Sequence, residues 1–352
     1  MNLNGKTLAK WLREATDADF PNNNKDDYFT RYRRWATYLD NNVHNQVNAG
    51  AQINDGGYLT DHGPDHVATV IQRASELVAA DGCTLTGYEV YLLLAAIHSH
   101  DVGNIYGREG HERRAERILE HLGELFGDDT IEKRCILKIA EAHGGKPKDK
   151  IDRLEETTDI LGRKIRMQML AAILKFADEL ADERARSGRF FISEGLLPSE
   201  SEVFHHFAHA LHSVVINTAQ YEVNLSFELN REQVTKALGK TRTNEPGEKD
   251  VEYVLLFDEI LRRTWKTHLE RIYCMRFLAP AIRINRINVR IEFFDNYSQI
   301  GDPIAYRLED AGYPDYPFEN VYEMCPALKM PGNEKLTGEL LKSRLEEQER
   351  AK

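Results

Sequence analysis

Cysteine is scarce. Cys83, Cys135, Cys274 and Cys325 are the four in the chain, far apart and without a CxxC pair. That spacing offers neither a disulfide framework nor a thiolate zinc site, and it suits a reducing compartment. Long apolar runs are also missing. The opening Met-Asn-Leu-Asn-Gly-Lys-Thr has no apolar stretch ending in a cleavage site, and no later segment supplies the roughly 20 apolar residues of a membrane span. A soluble cytoplasmic protein with no membrane partner is expected. No Walker or Rossmann glycine loop occurs, so a bound nucleotide would rely on metals and arginines. An excess of positive charge is lacking too: 46 Lys and Arg face 57 Asp and Glu, a net charge of −11. Long-range repulsion then disfavours duplex nucleic acid but not a small nucleotide. No internal repeat is visible.

What the chain does have is 352 residues, enough for two domains, and a hydrophobic share of 41%, enough for a real core. Apolar spacing predicts helices over 5–16 and 27–40, with the polar breaker Pro21 to Lys25 between them. Residues 49–63 are glycine-rich and polar and read as a loop. A helix then starts near Pro64, a favoured first-turn residue. Further helices are predicted over 86–102, 109–126, 130–142 and 165–185. The first of these is apolar on nearly every side, which marks a buried helix. From about 190 the pattern changes to β-branched and aromatic alternation. Strands are expected within 214–229 and 287–294, with a polar loop at 239–249 and a helix over 251–277. Residues 334–352 are charged and helix-prone, and read as a solvated or frayed terminus.

The most informative stretch is His98-Ser-His-Asp-Val-Gly-Asn104. His100 and Asp101 end an apolar helix, and a carboxylate there must find a partner or a metal. Ligand-type residues recur on both sides: Asp61-His62-Gly-Pro-Asp-His66, then His111, His143 and Asp178. Imidazole and carboxylate suit divalent first-row metals, and one aspartate can bridge two ions through its two oxygens. A bound cation lowers the pKa of its water toward about 7, and two ions can clamp the oxygens of a phosphoryl transfer.

The order His…His-Asp…His…His…Asp resembles the HD superfamily of metal-dependent phosphohydrolases, over about residues 30–290. The resemblance implies a mainly α fold: an HD-domain helical core with an α+β elaboration toward the C-terminus. The corresponding division is a helical metal-binding core over 1–190, an α+β part over 191–333 and a charged tail over 334–352. It also implies two divalent ions, drawn from Mn, Fe, Ni, Co, Zn or Mg. Their ligands would be His66, His100, Asp101 and Asp178 for one, and Asp101, His111 and His143 for the other. His62 stands one helical turn from His66. The resemblance favours His66 as the ligand and leaves His62 as a neighbouring catalytic group. The later histidines are similar to those of binuclear HD hydrolases such as the HD-GYP phosphodiesterases. Two departures mark an atypical subgroup: Asn104 stands where a lysine would follow, and no Gly-Tyr-Pro follows His143.

Several basic residues flank the ligands, among them Arg108, Arg113, Arg114, Lys146, Lys148, Arg184, Arg186 and Arg189. Arg113 and Arg186 are the first choices to neutralise phosphate oxygens, with Lys146 beside them. Asp182, one turn after Asp178, is expected to pair with Arg184 or Arg186. His205, His206, His209 and His212 form a second cluster. Helical spacing would put His205, His209 and His212 on one face, which would be a plain helix face, a separate metal site or a lining for substrate, with His209 the candidate contact. The resulting expectation is a metal-dependent phosphohydrolase or phosphodiesterase acting on a small phosphorylated substrate of nucleotide type. A single-strand nuclease, a nucleoside-triphosphate hydrolase and a non-catalytic nucleotide-binding module are the rivals.

Overall fold

The computed structural model describes residues 6–55, 58–145, 148–243, 249–296, 298–310 and 320–350. The chain forms two compact units that are not contiguous in sequence. The first comprises Met1–Gly56, Asp61–Ala181 and Ile272–Arg283; the second comprises Gly57–Thr60, Asp182–Arg271 and Ile284–Lys352.

The first unit is helical. It contains α1 (Leu8–Glu14), α2 (Lys25–Leu39), α3 (Asn45–Asp55), α4 (Pro64–Val78), α5 (Gly87–Ser99), α6 (Ala115–Leu122) and α7 (Thr130–Glu141). A short antiparallel hairpin follows, β1 (Thr158–Ile160) with β2 (Arg163–Ile165), and then α8 (Met167–Glu179). Helix α5 is the axis of this unit: every residue from Gly87 to Ser99 is buried. Helices α1, α2, α4, α7 and α8 pack around it, as a helix apolar on all sides requires. Its start is fixed by a capping box between Thr86 and Glu89. Arg166, just before α8, donates from Nε to Glu89 Oε1 at 2.8 Å and from Nη2 to Oε2 at 2.6 Å. The two helices that carry His100–Asp101 and Asp178 are thus tied together at their far ends.

The second unit contains α9 (Arg189–Ser193), α10 (Glu202–Ala210), β3 (Leu211–Asn217), β4 (Glu222–Asn230), α11 (Arg231–Thr235), β5 (Ala237–Thr243) and β6 (Lys249–Leu255). After these come α12 (Leu256–Leu278), whose residues from Ile272 on belong to the first unit, and then β7 (Arg286–Asp295), β8 (Ser298–Gln299), β9 (Ile304–Glu309), α13 (Val321–Met324) and α14 (Gly338–Arg350). Strand β4 runs antiparallel to β3 and parallel to β7, and β9 pairs antiparallel with the other edge of β7. The parallel pair needs a long connection, which the β5–β6 hairpin and α12 supply. Val223, Leu225, Phe227 and Leu229 are buried in register with Ile287, Val289, Ile291 and Phe293, so one face of the sheet forms the core of this unit. The fold is therefore mainly α with an α+β elaboration, as expected. No helix among the described residues is long and apolar enough to cross a membrane.

Four local expectations are corrected. Residues 49–55 are not loop, because α3 runs on to Asp55. Its Gly50 is a packing residue: a Cβ there would stand 2.5 Å from the Ile105 carbonyl oxygen. The helix expected over 109–126 is broken into a 3-10 turn at His111–Arg113, then α6, then a further 3-10 turn. Residues 239–243 and 249–255 pair as the β5–β6 hairpin instead of forming a loop and the start of a helix. The terminal segment is also not simply frayed: α14 buries Leu341 and Leu345 and packs against α11.

Candidate metal centre

The buried end of α5 delivers His100 and Asp101 to the middle of the first unit. Pro64 opens α4 and places His66 in its first turn, where it is fully enclosed. Asp178 comes from the last turn of α8, and His143 from the turn after α7. A 3-10 turn brings in His111. These residues converge in two groups that share one member. The ligand-type atoms of His66, His100, Asp101 and Asp178 all lie within 4.8 Å of one another, and so do those of Asp101, His111 and His143. Asp101 divides its oxygens between them. Oδ2 is 3.4 Å from His66 Nε2 and 3.3 Å from His100 Nε2, while Oδ1 is 3.1 Å from His111 Nε2 and 3.7 Å from His143 Nε2. Asp178 Oδ1 closes the first group at 3.2 Å from His66 Nε2 and 3.6 Å from His100 Nε2.

The donor chemistry fits a cation in each group. His100, His111 and His143 each donate from Nδ1 to a backbone carbonyl three residues earlier: Ile97 at 2.6 Å, Arg108 at 2.9 Å and Ala140 at 2.5 Å. A carbonyl has no proton to give, so Nδ1 carries the hydrogen and the neutral ring turns an Nε2 lone pair inward. His111 Nε2 and His143 Nε2 then face each other at 3.3 Å, both beside a carboxylate oxygen. Among these acceptors only a cation or an extra proton relieves the repulsion. His66 Nδ1 and Nε2 and His100 Nε2 are buried without any hydrogen-bond partner. Two ligands about 2.1 Å from one ion at tetrahedral or octahedral angles are about 3.0–3.4 Å apart, close to the separations seen here.

Electrostatics agree. Burial alone would push the carboxyls of Asp101 and Asp178 up, yet His100 beside both, with His62 near the first and His66 near the second, holds each well below the usual carboxylate range. Burial would conversely depress His100, but Asp101 and Asp178 raise it to about 10, so without a cation beside it Nε2 of this ring takes up a proton. The pocket thus carries a strong negative potential that a positive charge must answer. His143 is lowered, chiefly by burial, against the opposing pull of Asp101.

Surrounding residues hold this set in place. Asn104 donates from Nδ2 to Asp101 Oδ1 at 2.8 Å. Arg108 reaches Asn104 Oδ1 at 3.2 Å and His62 Nε2 at 3.3 Å, with Asp101 Oδ1 3.8 Å away, and half of its side chain is exposed. Lys175, inside α8, donates to the His143 carbonyl at 2.8 Å. His62 belongs to neither donor group: its Nε2 is 3.9 Å from Asp101 Oδ2, and Asn48 accepts its backbone N–H.

Arg113 is 70% exposed and lies 3.9 Å from Glu112. Lys146 lies outside the described residues. Arg186, in the second unit, is buried and paired with Asp182 at 2.6 Å, the pairing anticipated for that aspartate. His209 carries Nδ1 3.5 Å from Ser187 Oγ. The shared helical face expected for His205, His209 and His212 does not form, because α10 ends at Ala210 and His212 sits on β3 beside Glu228. His205 is committed locally, through Nε2 to the Tyr58 carbonyl and Nδ1 to the Gly188 N–H. In the sequence Asn104 reads only as a departure from the family pattern and Arg108 only as one of several flanking arginines, and Lys175, the last of these three, is not singled out. The lysine breaking the apolar run Ala-Ile-Leu-Lys-Phe was the available signal for the last of them.

A family model described as HD-CE matches residues 56–263, more than half of the chain. No curated protein and no solved structure gives a significant match. An HD-type domain with this His/Asp cluster points to a metal-dependent hydrolase. By the extent of that match and the donor set at its centre, the chain belongs to the HD-CE family.

Proposed function

We propose that the chain is a metal-dependent phosphohydrolase that uses two divalent ions to cleave a small phosphoester, a mononucleotide or a short cyclic nucleotide. The observation that supports it most is the division of Asp101, one oxygen toward each donor group. His66, His100, Asp101 and Asp178 would hold one ion, and Asp101, His111 and His143 the other. Such a pair, when bound, supplies a hydroxide equivalent at neutral pH and neutralises charge on phosphate oxygens.

The chain's own residues do the rest. Asn104 fixes the plane of the shared carboxylate through Oδ1. Arg108, half exposed beside Asp101, would be the guanidinium that receives non-bridging phosphate oxygens. His62, next to Arg108, is placed to hold or pass a proton at Nε2 for the leaving group. Arg113, exposed and in the same unit, stays in the proposal as an outer contact to the rest of the substrate. The net charge of −11 weighs against a long polyanion.

The test is a product screen. The full chain, loaded separately with Mn, Fe, Ni, Co, Zn or Mg, is incubated with nucleoside mono-, di- and triphosphates, cyclic nucleotides and short single strands. Metal-dependent cleavage that Asp101→Ala abolishes is expected, with the variant's circular dichroism retained. Nucleotide binding without product for every metal would replace the enzyme with a binding module.

A further inference from the structure

A second cluster lies on another side of α5. Asp40 and His44 stand one turn apart in a π-helical turn, Asp40–His44, that follows α2, and His98 reaches them from the last turn of α5. One ligand-type atom from each of the three lies within 4.8 Å of the others. Asp40 Oδ1 is 3.8 Å from His44 Nε2 and 3.8 Å from His98 Nδ1. Neither separation is a hydrogen bond.

The imidazoles are the unusual part. The side chains of His44 and His98 are 2% and 5% exposed. His44 Nε2 and both ring nitrogens of His98 are buried without a hydrogen-bond partner. An unsatisfied buried donor or acceptor costs about 1–3 kcal/mol, and such groups point to a water or ion that completes them. Aromatic rings wall in the deep side: Tyr32 and Trp35 stand edge-on to His98 at 6.0 and 5.3 Å between centroids. Asp40, with its side chain 44% exposed, forms the outer side. π-helical turns are frequent at functional sites, and this one sets two ligand-type residues on the same face.

We propose that Asp40, His44 and His98 bind one divalent first-row transition ion, separate from the Asp101-centred groups. Two imidazoles and one carboxylate are the ligand set that Zn(II), Fe(II) and their neighbours prefer, with further positions left for water. The ion would pin the end of α5 to the turn after α2. Since His98 precedes His100 by two residues, it would brace the segment that presents His100 and Asp101. This inference is independent of the proposed reaction.

The test is a Zn(II) titration of the chelator-stripped full chain against a chromophoric competitor. The double variant Asp40→Asn/His44→Gln should bind about one equivalent fewer than the wild type while keeping its ellipticity. In a His66→Ala/Asp101→Ala background the Zn(II)-induced rise in melting temperature should persist, and adding Asp40→Asn/His44→Gln should remove it. Equal stoichiometry in the folded Asp40→Asn/His44→Gln variant would overturn the proposal. If that variant loses ellipticity, wild-type crystals grown with Zn(II) decide. Anomalous density at the zinc edge between Asp40, His44 and His98 supports the site, and a water or no peak there overturns it.

Discussion

Gly103 and His111 are in backbone contact so close that a Cβ on Gly103 would stand 2.0 Å from the His111 carbonyl oxygen. The same Cβ would meet the Arg114 Cβ at 3.1 Å. The turn leaving α5 can therefore press against the turn carrying His111 only because residue 103 has no side chain. Gly103→Ala should push His111 out of the group it forms with Asp101 and His143. We expect a loss of about one metal equivalent and a stability cost of about 1–3 kcal/mol, the range for overpacking. Metal analysis together with chemical denaturation checks this. A variant with full metal content and unchanged melting would show that the turn has room to move.

The two upstream histidines should separate cleanly. His66 is enclosed with neither ring nitrogen hydrogen-bonded, whereas His62 lies 3.3 Å from Arg108. His66→Ala should lose metal. His62→Ala should keep it and lose turnover, by the ~100-fold or more that a general acid or base contributes. The opposite pattern, metal lost from the His62 variant alone, would reverse the two roles.

Much of this centre was legible in the sequence because its residue types are out of place locally. An aspartate after the apolar run of α5, and another inside the apolar run of α8, have no reason to be there except a shared polar site. The β4 and β7 strands were legible from alternation. Arg108 was one of several arginines near the ligands, and no spacing rule says which one turns toward a carboxylate in the fold. Asp40 and His44 carry no such signal in the sequence, because His98 comes from a distant helix. The β5–β6 hairpin was missed because its polar composition imitates a loop. Leu341 and Leu345 in α14 were masked by the charged residues around them, although their i, i+4 spacing was the available cue.

Arg108 provides a test of how the substrate is held. If its guanidinium takes a phosphate oxygen, Arg108→Ala should raise KM about 10- to 100-fold, matching the ~1.5–3 kcal/mol of a charged hydrogen bond. Arg108→Lys should recover part of the loss. With a net charge of −11, log–log salt dependence of binding should be shallow. One to three contacts would give a slope of at most about −2 to −3 on the scale of −0.7 to −0.9 per phosphate. An unchanged KM in Arg108→Ala, or a steep slope with long single strands, would favour the nuclease reading.

The acid sensitivity of the second unit should trace in part to His268. Its ring is fully buried on α12, lies tilted against Trp265 at 5.3 Å between centroids and has Nδ1 3.5 Å from Arg271 Nη2. Burial, reinforced by Arg271 and only partly opposed by Asp310, lowers its pKa from 6.5 to about 4. The folded state therefore resists a proton that the unfolded state accepts. The stability this gives is fully present above pH 6.5 and is lost progressively as pH falls toward about 4. One proton of difference corresponds to a slope of about 1.4 kcal/mol per pH unit. His268→Gln cannot take up that proton. Its stability, measured by urea denaturation at steps between pH 7 and 4.5, should fall less steeply than the wild type's by a part of that slope. It should do so whatever the variant's absolute stability at neutral pH. Parallel curves for the two proteins would mean that His268 is protonated equally in both states and that the acid lability arises elsewhere.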